Sequence, residues 1–555
     1  MHRGPPNGEE ERDNPEHDES QRDEASPDEG QRHSSSSLSR DLSLSASLPG
    51  TGDTIAALAT PAGRGALAVI RMSGPDAHAI ASRVLSPWRA EPRSAYLTTL
   101  RDPASGKVID RPVVTVYAVP RSYTGEELVE LSVHGGQLVP VLALAALLAA
   151  GAREALPGEF TRRAVANGKM DILQAEGVGD LIDSQSRAMH DAAIGQLEGS
   201  LSRRIAALRD AVIGLEALIA YDIDFPEEDD GPIPAERVER GIDDLLAALD
   251  ALLATAATGE MIRRGALVVI AGAPNAGKSS LFNALLGSTR AIVTEVPGTT
   301  RDAIEAVADV GSWPVRLVDT AGLRETSDVV ERLGIEVSER YLGSADLVLA
   351  CGETEGSLSF TASRVRALTA APVLMVRTKA DLVANSYEII ASDTSAASDQ
   401  GGRAPGDLVP NCYQMPPAPG GSRPVGDHPG ALHSPHSPHS PAGPCVTVSA
   451  ATGSGLGALA DAMARLLAER YGQPGSDAGG DRSAPLLTRE RHRIAVQGAR
   501  DEVAGFEHAW RVGSLPATVA AVHLHAAATA LESLIGGVDV EDVLDRVFSD
   551  FCVGK

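Results

Sequence analysis

Gly272-Ala-Pro-Asn-Ala-Gly277-Lys278-Ser279 follows the apolar run 267–271 and precedes an apolar, helix-patterned segment. This stretch decides the fold of the middle of the chain. Its small residues let successive backbone N–H groups turn toward one point at a helix start, where unpaired donors and the helix dipole favour an anion. GxxxxGK[ST] in a strand–loop–helix context predicts a phosphate loop, not a bare glycine turn. Lys278 is expected to reach the β- and γ-phosphates, and Ser279 to ligate Mg2+. Asn275, Ala276, Gly277 and Ser280 belong to the same loop. Outward from it, residues 266–382 alternate strand and helix patterns, which predicts a doubly wound α/β sheet.

Further loops follow in order. Gly298-Thr299-Thr300-Arg301-Asp302 reads as a first switch, with Thr300 as a second Mg2+ ligand. Asp319-Thr320-Ala321-Gly322 follows an apolar strand and reads as the second. Thr378-Lys379-Ala380-Asp381 ends the strand 373–376 and reads as the guanine-reading loop. Asp381 can accept from N1 and N2 of guanine, which adenine does not offer, so GTP is the expected nucleotide. Threonine at 378, where asparagine is usual, weakens one base contact. Ser449-Ala450 fits the last base-contacting loop. Leu323 occupies the position where Ras-like enzymes orient water with glutamine, so another group must place water and neutralise the transition state.

Composition narrows the rest. The chain has 555 residues, enough for several domains, and a formal charge of −26. That charge argues against broad coating of nucleic acid but leaves room for a local basic patch. Four scattered cysteines without a CxxC pair fit a reducing compartment and support neither a zinc site nor a disulfide framework. The longest apolar run, 138–152, holds Pro140 and is shorter than the ~20 residues a spanning helix needs. No membrane span, secretory signal or transit peptide is expected, and a cytoplasmic location is.

Residues 1–50 carry 12 acidic against 5 basic side chains and are expected to be a disordered acidic, Ser-rich tail. A regulatory tail and an over-long start of the reading frame both fit it. Residues 51–173 mix strand-like runs with one apolar helix, an α+β pattern. Residues 174–262 are helical, with apolar periodicity through 188–219 and 238–253. Residues 263–470 form the nucleotide-binding unit, interrupted by a Pro/Gly/Ser-rich insertion at 383–444. That insertion repeats His-Ser-Pro from His433 and reads as a solvated loop rather than a metal site. Residues 471–555 are helical again.

Several blocks carry a family resemblance. They are Asp53-Thr-Ile-Ala-Ala-Leu-Ala-Thr-Pro-Ala-Gly-Arg-Gly65, Ile70-Arg-Met-Ser-Gly74, Ser122-Tyr-Thr-Gly-Glu-Glu-Leu-Val-Glu-Leu-Ser-Val-His-Gly-Gly136 and the stretch from Pro157 to Asp171. With Asp-Thr-Ala-Gly-Leu-Arg-Glu and the terminal Phe551-Cys-Val-Gly-Lys555, they make the chain resemble the tRNA modification GTPase MnmE (TrmE) family. The likeness covers nearly all of the chain beyond the tail.

The resemblance implies an N-terminal α+β domain that binds a one-carbon tetrahydrofolate and forms a homodimer, and a GTPase domain inserted into a helical domain. Arg71, Glu130, Lys169 and Lys555 would contact the folate; read without the family, each is a surface charge. The resemblance also implies K+ activation, with Asn275 as side-chain ligand and backbone oxygens from the loop Thr294, Glu295, Val296, Pro297, Gly298 and Thr299 completing the shell. Glu331 would orient water through a second water, beside Lys278 as a catalytic cation. Cys552 would lie near the one-carbon unit, although a near-terminal cysteine is otherwise often inert.

The activity implied is modification of C5 of wobble uridine-34 in certain tRNAs, adding a (carboxymethyl)aminomethyl group with an FAD-dependent MnmG partner in a heterotetramer. RNA contact is open to the clusters Arg162-Arg163 and 489–493, though such runs are usually solvated helix faces. An Era- or Der-like GTPase of ribosome assembly shares the nucleotide loops but leaves Arg71, Lys169 and the C-terminal motif unexplained. A GTP-dependent dimerisation switch without chemistry is a third reading.

Overall fold

The computed structural model describes residues 52–224, 234–288, 304–319, 340–382, 444–473, 484–512, 517–536, 551 and 554, all within the compact unit Leu48–Lys555. Three hydrophobic cores organise them.

The first core lies under a mixed sheet built from β1 (Ile55–Leu58), β2 (Leu67–Ser73), β4 (Ala95–Leu97), β7 (Val113–Tyr117), β8 (Leu128–His134) and β9 (Arg153–Glu154), in the order β4-β7-β8-β2-β1-β9. Strand side chains alternate between faces. Ala68, Ile70 and Met72 of β2 therefore join Val129, Leu131 and Val133 of β8 on the face covered by α1 (Ala77–Val84) and α2 (Val139–Ala149). Arg71 and Glu130 are left on the opposite face, directly across from each other in register. A small sheet of β3 (Leu85–Ser86), β5 (Thr99–Arg101) and β6 (Val108–Asp110) flanks it. Helix α3 (Glu159–Ala166) packs Phe160 onto Ile55 and Ala57.

Asp171 then starts α4 (Ile172–Asp183) with a reciprocal capping box to Gln174, satisfying two donors at the helix start. The periodic stretch expected over 188–219 is two helices, α5 (Arg187–Leu197) and α6 (Ser200–Asp224), because Gly199 adopts φ +79° and breaks the ladder. Helix α7 (Ala235–Ala254) runs into α8 (Ala256–Arg264). Together, 235–264 is the one described helical stretch long and apolar enough by composition to cross a bilayer. Its apolar side chains Val238, Ile242, Leu245, Leu249 and Leu252 are instead buried in the second core, at the period of an amphipathic helix. That core is completed by α12 (Glu490–Val512) and α13 (Ala517–Ile535), which lie far away in sequence, while residues 484–489 are not helical.

At Gly265 the chain enters the third core. Its sheet runs β11 (Ile304–Val310), β12 (Trp313–Asp319), β10 (Ala266–Gly272), β13 (Leu347–Gly352), β14 (Val373–Arg377) and β15 (Cys445–Thr447), in that order. All pairings are parallel except β11–β12, so the expected doubly wound sheet carries one antiparallel edge. Strands buried on both faces explain why β10 and β13 read as near-continuous apolar runs. Helices α9 (Lys278–Ser288), α10 (Glu355–Arg366) and α11 (Leu456–Tyr471) cover the two faces.

Entry and exit are latched together. Asp346, just before β13, accepts from Arg264 Nη2 (2.9 Å), the backbone N–H of Leu267 (2.8 Å) and the Tyr471 hydroxyl (2.6 Å). Thr258 also donates to the carbonyl of Tyr471. Burial, reinforced by the Asp346 carboxylate, pushes the Tyr471 phenol up to about 12, so it remains a donor.

Candidate functional site

Loop 272–278 leaves β10 at the carboxyl edge of the parallel strands, where doubly wound sheets bind ligands. Asn275 (φ +63°) and Gly277 (φ +78°) both adopt left-handed backbone, which curls the loop. Only glycine does this freely, so the exposed Asn275 holds a conformation that its short polar side chain tolerates. Lys278 is buried, and its ammonium donates to the carbonyls of Gly272 (3.0 Å) and Ala273 (2.9 Å), across the inside of the loop. Ser279 Oγ donates to Asp319 Oδ2 at 2.5 Å. Two oxygen donors from separate loops thus meet at the start of α9, a set suited to a hard cation such as Mg2+.

The base side is equally assembled. A cavity of about 160 Å³ is lined by Gly277, Ser280, Leu281, Thr378, Lys379, Asp381, Leu382, Val448, Ala450 and Ala451. Ser449 Oγ donates to Asp381 Oδ1 at 2.7 Å, fixing the carboxylate, and the backbone N–H of Ala380 bonds the carbonyl of Val448. Thr378 lines this cavity while its hydroxyl is engaged by the phosphate loop. It donates to the carbonyl of Ala276 at 2.8 Å and is 4% exposed. Position 378, expected as a weakened base contact, also ties the wall of this cavity to the phosphate loop. Cys351 lies beneath, fully buried, and burial pushes its thiol up to about 12 despite the nearby Lys278 ammonium.

On the N-terminal sheet, Arg71 Nε and Nη2 both donate to Glu130 Oε1 (3.0 and 2.8 Å), and Tyr117 OH donates to Oε2 at 3.4 Å. The guanidinium lies 5.1 Å from the Tyr123 ring centroid and 5.8 Å from that of Phe160. Its remaining nitrogen, Nη1, is buried without a partner. An orphan donor beside a fixed carboxylate and aromatic faces fits a polar heterocycle with an anionic tail. Lys169 Nζ donates to the carbonyl of Pro120 (2.9 Å) at the rim. Asp53, Glu126 and Glu159 converge on buried Arg163, which braces α3 against this face.

Gly554 of the C-terminal motif reaches the same sheet. Gly554 has φ +97°, and a Cβ there would lie 2.4 Å from the carbonyl of Leu58 and 2.9 Å from Cα of Ala59. Phe551 packs against Gly179 of α4 and beside Ile172 and Ala175. Thr294, Glu295, Val296, Pro297, Gly298, Thr299, Thr300, Thr320, Ala321, Gly322, Leu323, Glu331, Cys552 and Lys555 lie outside the described residues.

In both basic runs considered for RNA, arginines pair with carboxylates. Arg163 is buried among carboxylates. Arg491 and His492 bond the buried Glu176 at 2.6 and 2.7 Å, Arg489 bonds Asp180 at 2.7 Å, and Arg493 pairs with Glu490. Burial alone would raise Glu176, but hydrogen bonds from His492 and Arg491 outweigh it and hold the carboxyl at about 2. These partners are more than 300 residues apart in sequence and carried no local signal.

Comparison with known proteins places these features in a family. Residues 172–552 match the MnmE helical domain, and residues 54–169 match the N-terminus of the GTP-binding protein TrmE. The tRNA modification GTPase MnmE of Moorella thermoacetica is 38% identical over 91% of this chain and 99% of its own. Those of Heliobacterium modesticaldum (38%, over 91% and 100%) and Methylorubrum populi (40%, over 92% and 99%) are similar. Among solved structures, the G domain of the T. maritima FeoB iron transporter matches 38% of this chain and 99% of its own at 22% identity, with a TM-score of 0.21. The agreement with the curated relatives runs through the sheet bearing Arg71, the helical core and the phosphate loop alike, and the chain belongs to the tRNA modification GTPase MnmE family.

Proposed function

We propose that this protein hydrolyses GTP and uses the resulting motion in modifying C5 of wobble uridine in certain tRNAs, with an MnmG-type FAD protein as partner and a tetrahydrofolate as one-carbon source. The observation that carries the one-carbon half is the seating of Gly554 on the Leu58–Ala59 backbone. Ala57, the residue before Leu58, is the register partner of Arg71, so Gly554 meets β1 next to the residue that pairs with Arg71. An Era- or Der-like assembly factor gives no reason for that meeting.

At the nucleotide site, Lys278 and the loop N–H groups bind the phosphates, and Asp381, held by Ser449, reads guanine. Mg2+ would be held through Ser279, with Asp319 beside it and Thr300 by resemblance; it supplies charge neutralisation at the phosphates. Asn275 would join Thr294, Val296 and Thr299 around K+, and Glu331 would place water; a cation there answers the leucine at position 323. In the N-terminal domain, Glu130 accepts from a pterin edge, while Arg71 Nη1, Lys169 and Lys555 bind anionic groups. A homodimer through the N-terminal domains and a cytoplasmic location belong to the same reading.

Two measurements test it. Nucleoside analysis of tRNA from cells lacking the protein should show wobble uridines without the C5 group; unchanged uridines refute the assignment. The purified protein should bind 5-formyltetrahydrofolate, and a protein that binds GTP but no folate would favour the assembly-factor reading.

A further inference from the structure

Residues 52–171 carry 13 Lys+Arg against 11 Asp+Glu, a local surplus in a chain whose formal charge is −26. Part of that surplus collects at one corner of the N-terminal sheet. The turn Gly63-Arg64-Gly65 and the turn His134-Gly135-Gly136 touch there: the backbone N–H of Gly135 donates to the carbonyl of Ala66 (3.1 Å), and a Cβ on Gly135 would lie 2.5 Å from the carbonyl of Gly65. Only glycine allows that approach. His134 in turn ties in β6, since its Nδ1 and backbone N–H meet the two carboxylate oxygens of Asp110 at 2.7 and 2.8 Å. Arg111 is next in sequence, and Lys107 and Arg101 sit on the same β5–β6 hairpin.

Arg64, Arg101, Lys107 and Arg111 are all exposed. Among the described residues no carboxylate forms an ion pair with any of the four. Asp110 is occupied by His134, and Asp102 accepts from its own turn while feeling Lys107 only at longer range. This contrasts with the helical core, where Arg489, Arg491, Arg493, Arg500 and Arg511 are each paired with an acid. Cations without a paired carboxylate in an acidic protein are suited to a polyanion.

The register says where a polyanion bound there would lead. His134 pairs with Leu67, and Glu130 pairs with Arg71, four residues along the same strands and on the same face. At the ~3.3 Å rise of a strand, the corner is about 13 Å from the Arg71–Glu130 pair. His134 is 72% exposed and held by Asp110, so it also offers a fixed ring on which an unpaired base can stack.

We propose that the corner formed by Arg64, His134, Lys107 and Arg111 binds the phosphate backbone of the tRNA substrate and delivers an extruded nucleotide toward Arg71 and Glu130. This rests on the tRNA reading above. It assigns RNA contact to the turns of the N-terminal sheet rather than to the arginine runs, whose Arg163, Arg489, Arg491 and Arg493 pair with carboxylates.

The test uses the full chain and an unmodified tRNA transcript, with binding followed by fluorescence anisotropy from 50 to 200 mM salt. The triple variant R64Q/K107Q/R111Q should bind the transcript at least tenfold more weakly near 0.1 M salt, with the slope of log K against log salt reduced by about 2 to 3. Unchanged GDP affinity and wild-type elution in size-exclusion chromatography show that the variant is folded. If it is not, K107Q alone should lower the slope by about 0.7–0.9. Equal affinities and slopes for wild type and variant overturn the proposal while leaving the tRNA reading standing. A wild-type protein that binds no transcript at any salt overturns the tRNA reading itself. Loss of binding to phosphatidylserine vesicles with unchanged tRNA affinity would assign the corner to a membrane surface and also overturn it.

Discussion

The Thr378 hydroxyl donates to the carbonyl of Ala276 at 2.8 Å, joining the base-reading loop to the phosphate loop from beneath. Gly277 follows directly, and the Thr378 side chain fills the space next to its Cα. Thr378→Val keeps the shape and leaves a buried carbonyl without a donor, at a cost of about 1–2 kcal/mol. Affinity should fall roughly 5- to 30-fold, by the same factor for GDP and for inosine diphosphate. Thr378→Ser should restore it. A loss confined to the guanine nucleotide, measured by fluorescent-nucleotide displacement, would return position 378 to the base.

Asn275, exposed and held at φ +63°, is the described member of the expected K+ shell. GTP hydrolysis should be several-fold faster in KCl than in NaCl at equal ionic strength, and Asn275→Ala should erase most of the difference. Equal steady-state rates in the two salts would eliminate the cation from the account of Leu323.

Glu176 and His492 set an acid limit. Glu176 sits at about 2, below its ordinary 4.5, and burial depresses His492 despite the carboxylate beside it. Both folded-state values lie below the unfolded ones, so the unfolded chain binds more protons and stability falls as pH drops. The loss begins near 6.5 through His492 and continues from about 4.5 toward 2 through Glu176. Glu176 accounts for about 3 kcal/mol at most. Thermal melts should show a falling Tm across this window. Glu176→Gln should lower Tm at pH 7 and flatten the acid limb; an unchanged acid limb would mean that other carboxylates govern it.

Gly554 is seated where a side chain cannot fit. Gly554→Ala adds a Cβ 2.4 Å from the Leu58 carbonyl and imposes φ +97° on a residue that resists it. Binding of 5-formyltetrahydrofolate and tRNA modification should both fall by an order of magnitude or more, with basal GTP hydrolysis retained. Normal modification by this variant would mean that the terminal motif does not act at the sheet.

Asp346 latches entry to exit. Tyr471→Phe removes one of its three donors, and Asp346→Ala leaves Arg264 and the Leu267 N–H uncompensated, costing about 3–5 kcal/mol. Calorimetry of Asp346→Ala should split one unfolding transition into two, as the sheet around the phosphate loop melts apart from the helical core. A single transition at the wild-type temperature would show that the latch adds no coupling.

The loop Gly272–Ser279 was legible from local sequence because its chemistry is local. Backbone amides at a helix start need small residues, a lysine and a hydroxyl at fixed spacing, wherever the rest of the chain goes. The same holds for Asp381 and Ser449, whose loops end buried strands, and for the amphipathic period of α7. What tertiary structure alone decided is the use to which charges were put. Arg489, Arg491 and Arg163 look like a nucleic-acid face in sequence, yet they are consumed by Glu176, Asp180 and Glu159. The turns that carry Arg64 and His134, about seventy positions apart, meet through Gly65 and Gly135, and His134 in turn bonds Asp110. The Thr378–Ala276 bond likewise joins loops far apart in sequence. Local pattern determines which backbone forms, but whether an exposed-looking donor meets carboxylate, carbonyl or solvent depends on segments brought together only when the cores close.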